Sequence, residues 1–224
     1  MQNRNKMITS NPGLQSGNFN AKSDSPSRNL KVNLKNFTWI NKPASFRLRD
    51  DSLIIDTEPD TDFWQQTYYG FSNKNGPAFL TETVGDFTFS VKTSFKTTYL
   101  YDQCGILMYL DDYNWIKASV EYENREFARL GSVVTNLGYS DWATTDIPAG
   151  VTEMWYRLSC RSQDFYIEYS SNGIDYKQMR MLHLHKPISV ARVGVYGCSP
   201  LKSSFRAIFS DFRKGPCEWP PHVN

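Results

Sequence analysis

Residues 87–95 alternate without a break: Phe87, Phe89, Val91, Thr93 and Phe95 fall on one side, Thr88, Ser90, Lys92 and Ser94 on the other. That two-residue period is the mark of a half-buried strand. Similar but shorter runs recur along the chain. Residues 46–48 and 53–55 flank an Asp50-Asp51 turn and predict an early hairpin. Further strands are expected at 79–84, 104–110, 115–122, 130–135, 154–160, 165–169, 176–181, 190–196 and 205–212. Asn172-Gly173 predicts a hairpin turn, because both residues tolerate positive φ. Nothing of useful length has a helical period; residues 61–66 could form one helical turn capped by Thr61. A dozen or so strands joined by hairpins predict an all-β fold, an antiparallel sandwich or jelly roll. No repeat of about 20–50 residues suggests a propeller or solenoid.

Composition supports a packed core and moves the charge to one end. Of 224 residues, 15% are aromatic and 40% hydrophobic, which is incompatible with global disorder. Residues 1–35 hold six basic side chains and one acid, Asp24, whereas the remainder holds 19 basic and 22 acidic residues. The first 30 residues are polar, with Phe19 the one aromatic, so they are expected to be disordered. The expected organisation is a disordered basic tail at 1–35, a jelly-roll domain at 36–214 and a Pro-rich tail at 215–224. The body lacks a basic cluster to continue the tail, so no nucleic-acid partner is expected. No run of 18 apolar residues is present, and the N-terminus lacks the apolar stretch of a secretory signal. The four cysteines share no CxxC spacing and read as free thiols of a cytoplasmic protein, with no membrane contact.

The chemistry concentrates in two stretches. On the strand at 115–122, Ile116, Ala118, Val120 and Tyr122 share one face, and Trp115, Lys117, Ser119 and Glu121 share the other. With the first set packed on a facing sheet, the second lines a groove on a concave sheet, suited to a sugar or another polar small molecule. The same row reads equally as a solvated face with a Lys117–Glu121 charge pair. The second stretch, Asn136 to Trp142, runs from a strand into an expected loop bearing an amide, a carboxylate and an indole. It reads equally as a tight turn in which Asp141 bonds its own backbone and Trp142 caps the core.

Other groups give weaker signals. His183 and His185 share a strand face without a third ligand. Glu121 and Glu123 share a face, at a spacing a glycosidase carboxyl pair could use. The GxSxG, GxxxxGK[ST], GxGxxG and HExxH signatures are absent. No cofactor or metal is expected.

Seven separated motifs carry a family resemblance: Thr61-Asp62-Phe63-Trp64, Tyr101-Asp102-Gln103-Cys104-Gly105, Asn114-Trp115-Ile116-Lys117, Glu121-Tyr122, Val133-Val134-Thr135-Asn136, Ser140-Asp141-Trp142 and Cys198-Ser199-Pro200. In this order they resemble the single-domain family of uncharacterised proteins that includes the yeast regulation-of-enolase protein, over roughly residues 36–214. Cys104 stands where a small residue is more usual. The resemblance implies a concanavalin A-like jelly-roll sandwich of two antiparallel sheets. Related domains serve as accessory modules on glycosidases, and the family name implies a metabolic enzyme as a possible partner. The resemblance implies no catalytic residue. The expected function is therefore non-catalytic binding of a carbohydrate or similar polar ligand. Gln103, Lys117 and Glu121 would hydrogen-bond it, Trp115 would stack on it, and Asn136, Asp141 and Trp142 would form one rim.

Overall fold

The computed structural model describes residues 29–220, and they form two antiparallel sheets packed face to face. Strands are numbered in chain order. One sheet has the order β15 (Lys177–His183), β14 (Asp164–Ser170), β13 (Glu153–Arg161), β8 (Phe87–Phe95), β17 (Arg206–Gly215), β4 (Ser52–Asp56) and β3 (Phe46–Leu48), with β1 (Leu30–Lys31) also paired to β17. The other has the order β12 (Tyr139–Pro148), β11 (Phe127–Asn136), β10 (Asn114–Tyr122), β9 (Gln103–Asp111), β16 (Ala191–Cys198), β7 (Ala78–Thr83) and β2 (Thr38–Ile40). A separate hairpin, β5 (Phe63–Gln65) with β6 (Ser72–Lys74), completes the set. The fold is the expected all-β jelly-roll sandwich, and its strands occupy nearly all the predicted runs.

Alternation builds the main core. Phe87, Phe89, Val91 and Phe95 of β8 meet Cys104, Ile106 and Met108 of β9 and Ile116, Ala118 and Val120 of β10 between the sheets. The opposite face of the seven-stranded sheet is also covered at its centre. There Leu107, Tyr109, Trp115, Val133 and Tyr196 form a second cluster, closed by Phe63 of β5. Burial on both faces explains why β9 and β10 are buried over seven consecutive residues each.

Five expectations change or sharpen. Residues 61–66 do not form a helical turn: Phe63–Gln65 is strand β5, with Phe63 and Gln65 buried and Trp64 partly exposed between them. The expected loop after Asn136 is a two-residue turn, Leu137-Gly138, both at positive φ, that leads into β12. The ordered body starts before residue 36, since Leu30–Lys31 pairs with β17 and Leu34 is buried. The expected tail at 1–28 lies outside the described residues. The segment after Gly215 folds back: Trp219 stacks on Tyr166 at 5.3 Å, and Arg161 Nε donates to its carbonyl at 3.0 Å. Around Asn172-Gly173 the turn is wider than two residues, and Asn172 Oδ1 accepts from the backbone of Ile174 and Asp175.

Candidate functional site

The site is built on the face of β9 and β10 that turns away from the main core. Antiparallel register sets Gln103 opposite Glu121, and Gln103 Nε2 donates to Glu121 Oε2 at 2.9 Å. Gln103 Oε1 accepts from Lys117 Nζ at 2.9 Å and from the Tyr196 hydroxyl at 2.9 Å. Both ends of the amide are thus committed, which fixes its orientation.

Lys117 Nζ also lies 3.3 Å from Asp62 Oδ1. Asp62 is held by its own neighbourhood: its backbone N–H donates to Asn75 Oδ1 at 2.9 Å, and its Oδ1 accepts from the Phe63 N–H at 2.7 Å. The hairpin that carries it is tied to the sheet by Gln65 N–H donating to Ser140 Oγ at 2.9 Å and by Asn41 Nδ2 donating to the Lys74 carbonyl at 2.7 Å. Burial of a paired cation is tolerated because each partner supplies a hydrogen bond.

Above this network opens a cleft of about 330 Å³. Gln103, Lys117, Glu121 and Asp62 supply its polar groups, and Trp64, Tyr69, Phe71, Tyr101 and Trp142 supply aromatic walls. Trp142 sits over Gly131: a side chain there would place Cβ 2.8 Å from the indole nitrogen, so the glycine makes room for the ring. Trp64 is oriented by its indole N–H, which donates to the Thr67 carbonyl at 3.1 Å.

The cleft shapes the titration of Glu121. Burial raises its carboxyl from 4.5 to about 8; Lys117 opposes the shift, whereas Asp62 and Glu123 add to it. Among the described residues no cation lies within ion-pair distance of Glu121, because the ammonium of Lys117 is committed to Asp62 and Gln103. The alternative Lys117–Glu121 surface pair is therefore not formed.

The structure brings Gln103, Lys117, Glu121 and Trp142 of the expected site together and separates the other three. Trp115 points to the same face but is fully buried, with its ring 5.7 Å from that of Phe63. The β5–β6 hairpin covers it, so it supports the cleft from below and cannot stack on a ligand. Asn136 is used structurally: its Nδ2 donates to the His183 carbonyl and its Oδ1 accepts from His185 N–H, both at 3.0 Å. Asp141 pairs with Arg180 at 2.5 Å and, by alternation along β12, projects opposite to Trp142. Glu123 pairs with Arg129 at 2.8 Å, so the carboxylate that shares the cleft with Glu121 is Asp62. His183 Nδ1 is 2.7 Å from Asp164 Oδ1. Among the described residues no group of three or more His, Cys, Asp or Glu could hold a metal, and no helix is long and apolar enough to cross a membrane.

Asp62, Trp64, Tyr69, Phe71 and Tyr101 are cleft residues that reading β10 alone does not reach. Asp62 and Trp64 belong to the motif Thr61-Asp62-Phe63-Trp64, and Tyr101 opens the motif ending at Gly105, so those two motifs carried the signal.

Comparison with known proteins gives a consistent picture. The family described as "Protein of unknown function (DUF1349)" matches residues 39–217. Regulation of enolase protein 1 from Saccharomyces cerevisiae is 32% identical over 175 residues, which cover 78% of this chain and 87% of that protein. A crystal structure of a functionally unknown Saccharomyces cerevisiae protein superposes with a TM-score of 0.78 at 30% identity, over 85% of this chain and all of that one. A GH43 protein from Bacillus licheniformis superposes with a TM-score of 0.62 at 18% identity, over 80% of this chain and 36% of the enzyme. That last likeness shows the fold alone.

Proposed function

The chain belongs to the DUF1349 family, and from that premise we propose that it is a non-catalytic jelly-roll protein that holds a carbohydrate or similarly polar small molecule on the outer face of its seven-stranded sheet. One observation carries the reading. An amide whose two ends are fixed by Lys117 and Glu121 lies at the base of a cleft walled by Trp64 and Trp142. Polar groups held in fixed orientations beside aromatic platforms suit a ring with hydroxyls on its rim and C–H groups on its faces. The volume, about 330 Å³, is at the small end of the range for ligand sites. Titration of neutral mono- and disaccharides against tryptophan fluorescence tests it. Saturable quenching that disappears in Trp142→Ala supports binding, and no response to any sugar at millimolar concentration overturns it. Turnover of an aryl glycoside would overturn the non-catalytic part.

A second reading is regulation of a metabolic enzyme by direct contact. It is favoured by the name of the yeast relative and by the β5–β6 turn, where Tyr68 is exposed beside the cleft and Tyr69 and Phe71 of its wall are also exposed. Failure to recover enolase with the purified protein at stoichiometric level would remove it. A cytoplasmic location goes with either reading, and the four free cysteines support it.

A further inference from the structure

At the base of the cleft the donors are spent, whereas the wall carries the Tyr69 and Tyr101 hydroxyls, the Trp142 indole N–H and the Asn73 amide. Lys117 Nζ is spent on Gln103 and Asp62, and the Gln103 amide is spent on Glu121 and the Tyr101 carbonyl. In the wall, the Trp64 N–H is spent on Thr67. Two carboxylate oxygens take no hydrogen bond among the described residues: Glu121 Oε1 and Asp62 Oδ2. Glu121 has one partner, Gln103, and Asp62 accepts through Oδ1 alone.

The charges around Glu121 point the same way. Asp62 and Glu123 are acidic neighbours, and Tyr101 and Tyr196 are neutral ones. Of the two cations, Lys117 is paired with Asp62, and Arg129 is paired with Glu123 and with Asp146. Trp142, Tyr101, Trp64 and Tyr69 surround the opening with ring surface, and such surface attracts cations.

We propose that the ligand presents a protonated amine to Glu121, which makes it an amino sugar whose ammonium sits between Glu121 Oε1 and the aromatic wall. This rests on the reading of the cleft as a carbohydrate site and specifies which sugar it takes. Binding is coupled to a proton. Burial holds Glu121 mostly protonated at pH 7, with its carboxyl at about 8. The arriving ammonium ionises it: the neutral acid and R–NH₃⁺ give a carboxylate–ammonium pair, and one proton leaves to solvent.

Calorimetry at pH 7 in two buffers of different ionisation enthalpy reads both affinity and proton count. The probes are the glucosamine dimer, the N-acetylglucosamine dimer and cellobiose. The glucosamine dimer is expected to bind at least tenfold more tightly than the other two and to release close to one proton. Glu121→Gln, which keeps the shape of the side chain, is expected to abolish both differences. Equal affinity for all three dimers overturns the amine inference and leaves the carbohydrate reading standing. Binding of methylamine with no binding of any dimer overturns the carbohydrate reading and with it the amino sugar. The proton count on the unaltered protein decides the coupling even if the variant folds poorly, and zero protons overturns it.

Discussion

Lys117 Nζ donates to Gln103 Oε1 over 2.9 Å, and both residues are at most 3% exposed. A buried ammonium needs such partners, and its partners in turn need it. Lys117→Met removes the charge at similar length and strands the Gln103 carbonyl oxygen and the Asp62 carboxylate. The expected loss is about 3 kcal/mol, measured as a lower denaturant midpoint. Unchanged stability would mean that the network is replaceable by apolar packing.

Glu121 makes stability depend on pH in a particular direction. Its folded-state value, about 8, lies above the ordinary 4.5, so between those values the folded chain keeps a proton that the unfolded chain has lost. Stability therefore falls as pH rises through that window. Asp102, also raised by burial, adds to the same trend at its lower end, whereas the lowered carboxylates Asp56, Asp111, Asp112 and Glu153 act at more acidic pH. Discounted for its partial exposure, Glu121 contributes about 2 kcal/mol of loss between pH 5 and 8. Glu121→Gln is expected to flatten that part of the stability profile. A slope that persists unchanged in the variant would place its origin elsewhere.

The two tryptophans on this face separate support from binding. Trp115 is fully buried and Trp142 is 39% exposed. Trp115→Ala is expected to cost about 4 kcal/mol through the cavity beneath Phe63. Trp142→Ala is expected to cost under about 1 kcal/mol and to remove most ligand-induced quenching. Thermal melts and fluorescence titrations on the two variants distinguish these roles.

The contrast between those tryptophans also marks how far a strand's own pattern carries. Alternation on β8 and β10 was readable because one face of each meets the facing sheet, so Ile116 and Glu121 fell on opposite faces as expected. What covers the other face was not readable from β10, because the cover is Phe63, which lies more than 50 residues earlier in the chain. β5 itself was hidden because it is three residues long, too short to display a period. β12 was hidden for the opposite reason. As an edge strand it is exposed on both faces over most of its length, so Asp141, Thr144, Thr145 and Asp146 show no alternation to read. The site inherited both gaps: Asp62 was missed, and Asn136 and Asp141 were placed on a rim that β12 and the His183–His185 backbone occupy differently.

Gly105 lies beneath the cleft, opposite Ser119 in the β9–β10 ladder. A Cβ there would come within 1.9 Å of the Ala118 carbonyl oxygen. That oxygen belongs to the backbone of a central strand and cannot move aside without shifting the register that pairs Gln103 with Glu121. Gly105→Ala is expected to destabilise by about 3 kcal/mol. Gly85→Ala is a control in open space, strained only by its φ of +64°, and is expected to cost about 1 kcal/mol. Comparable melting temperatures for the two variants would contradict the close approach.

The thiols test whether the C-terminal segment holds its place on the sandwich. Burial pushes the Cys160 thiol up to about 12 and those of Cys104 and Cys198 well above their ordinary range. A thiolate is the reactive form, so all three are expected to be inert in the native protein. Cys217 is half-buried, in the segment that leads to Trp219. Ellman's reagent at pH 8 is expected to label one thiol quickly, and Cys217→Ser is expected to abolish that phase. The other three should react only in denaturant. Cys160 belongs to the core between the sheets, on the face of β13 opposite to Arg161, which binds the Trp219 carbonyl. Trp219→Ala removes the stacking on Tyr166 and is expected to speed the labelling of Cys217, whose Sγ contacts the Trp219 carbonyl, while leaving Cys160 unreactive. An equal labelling rate for Cys217 in the variant and the unaltered protein would mean that this stacking does not hold the segment in place.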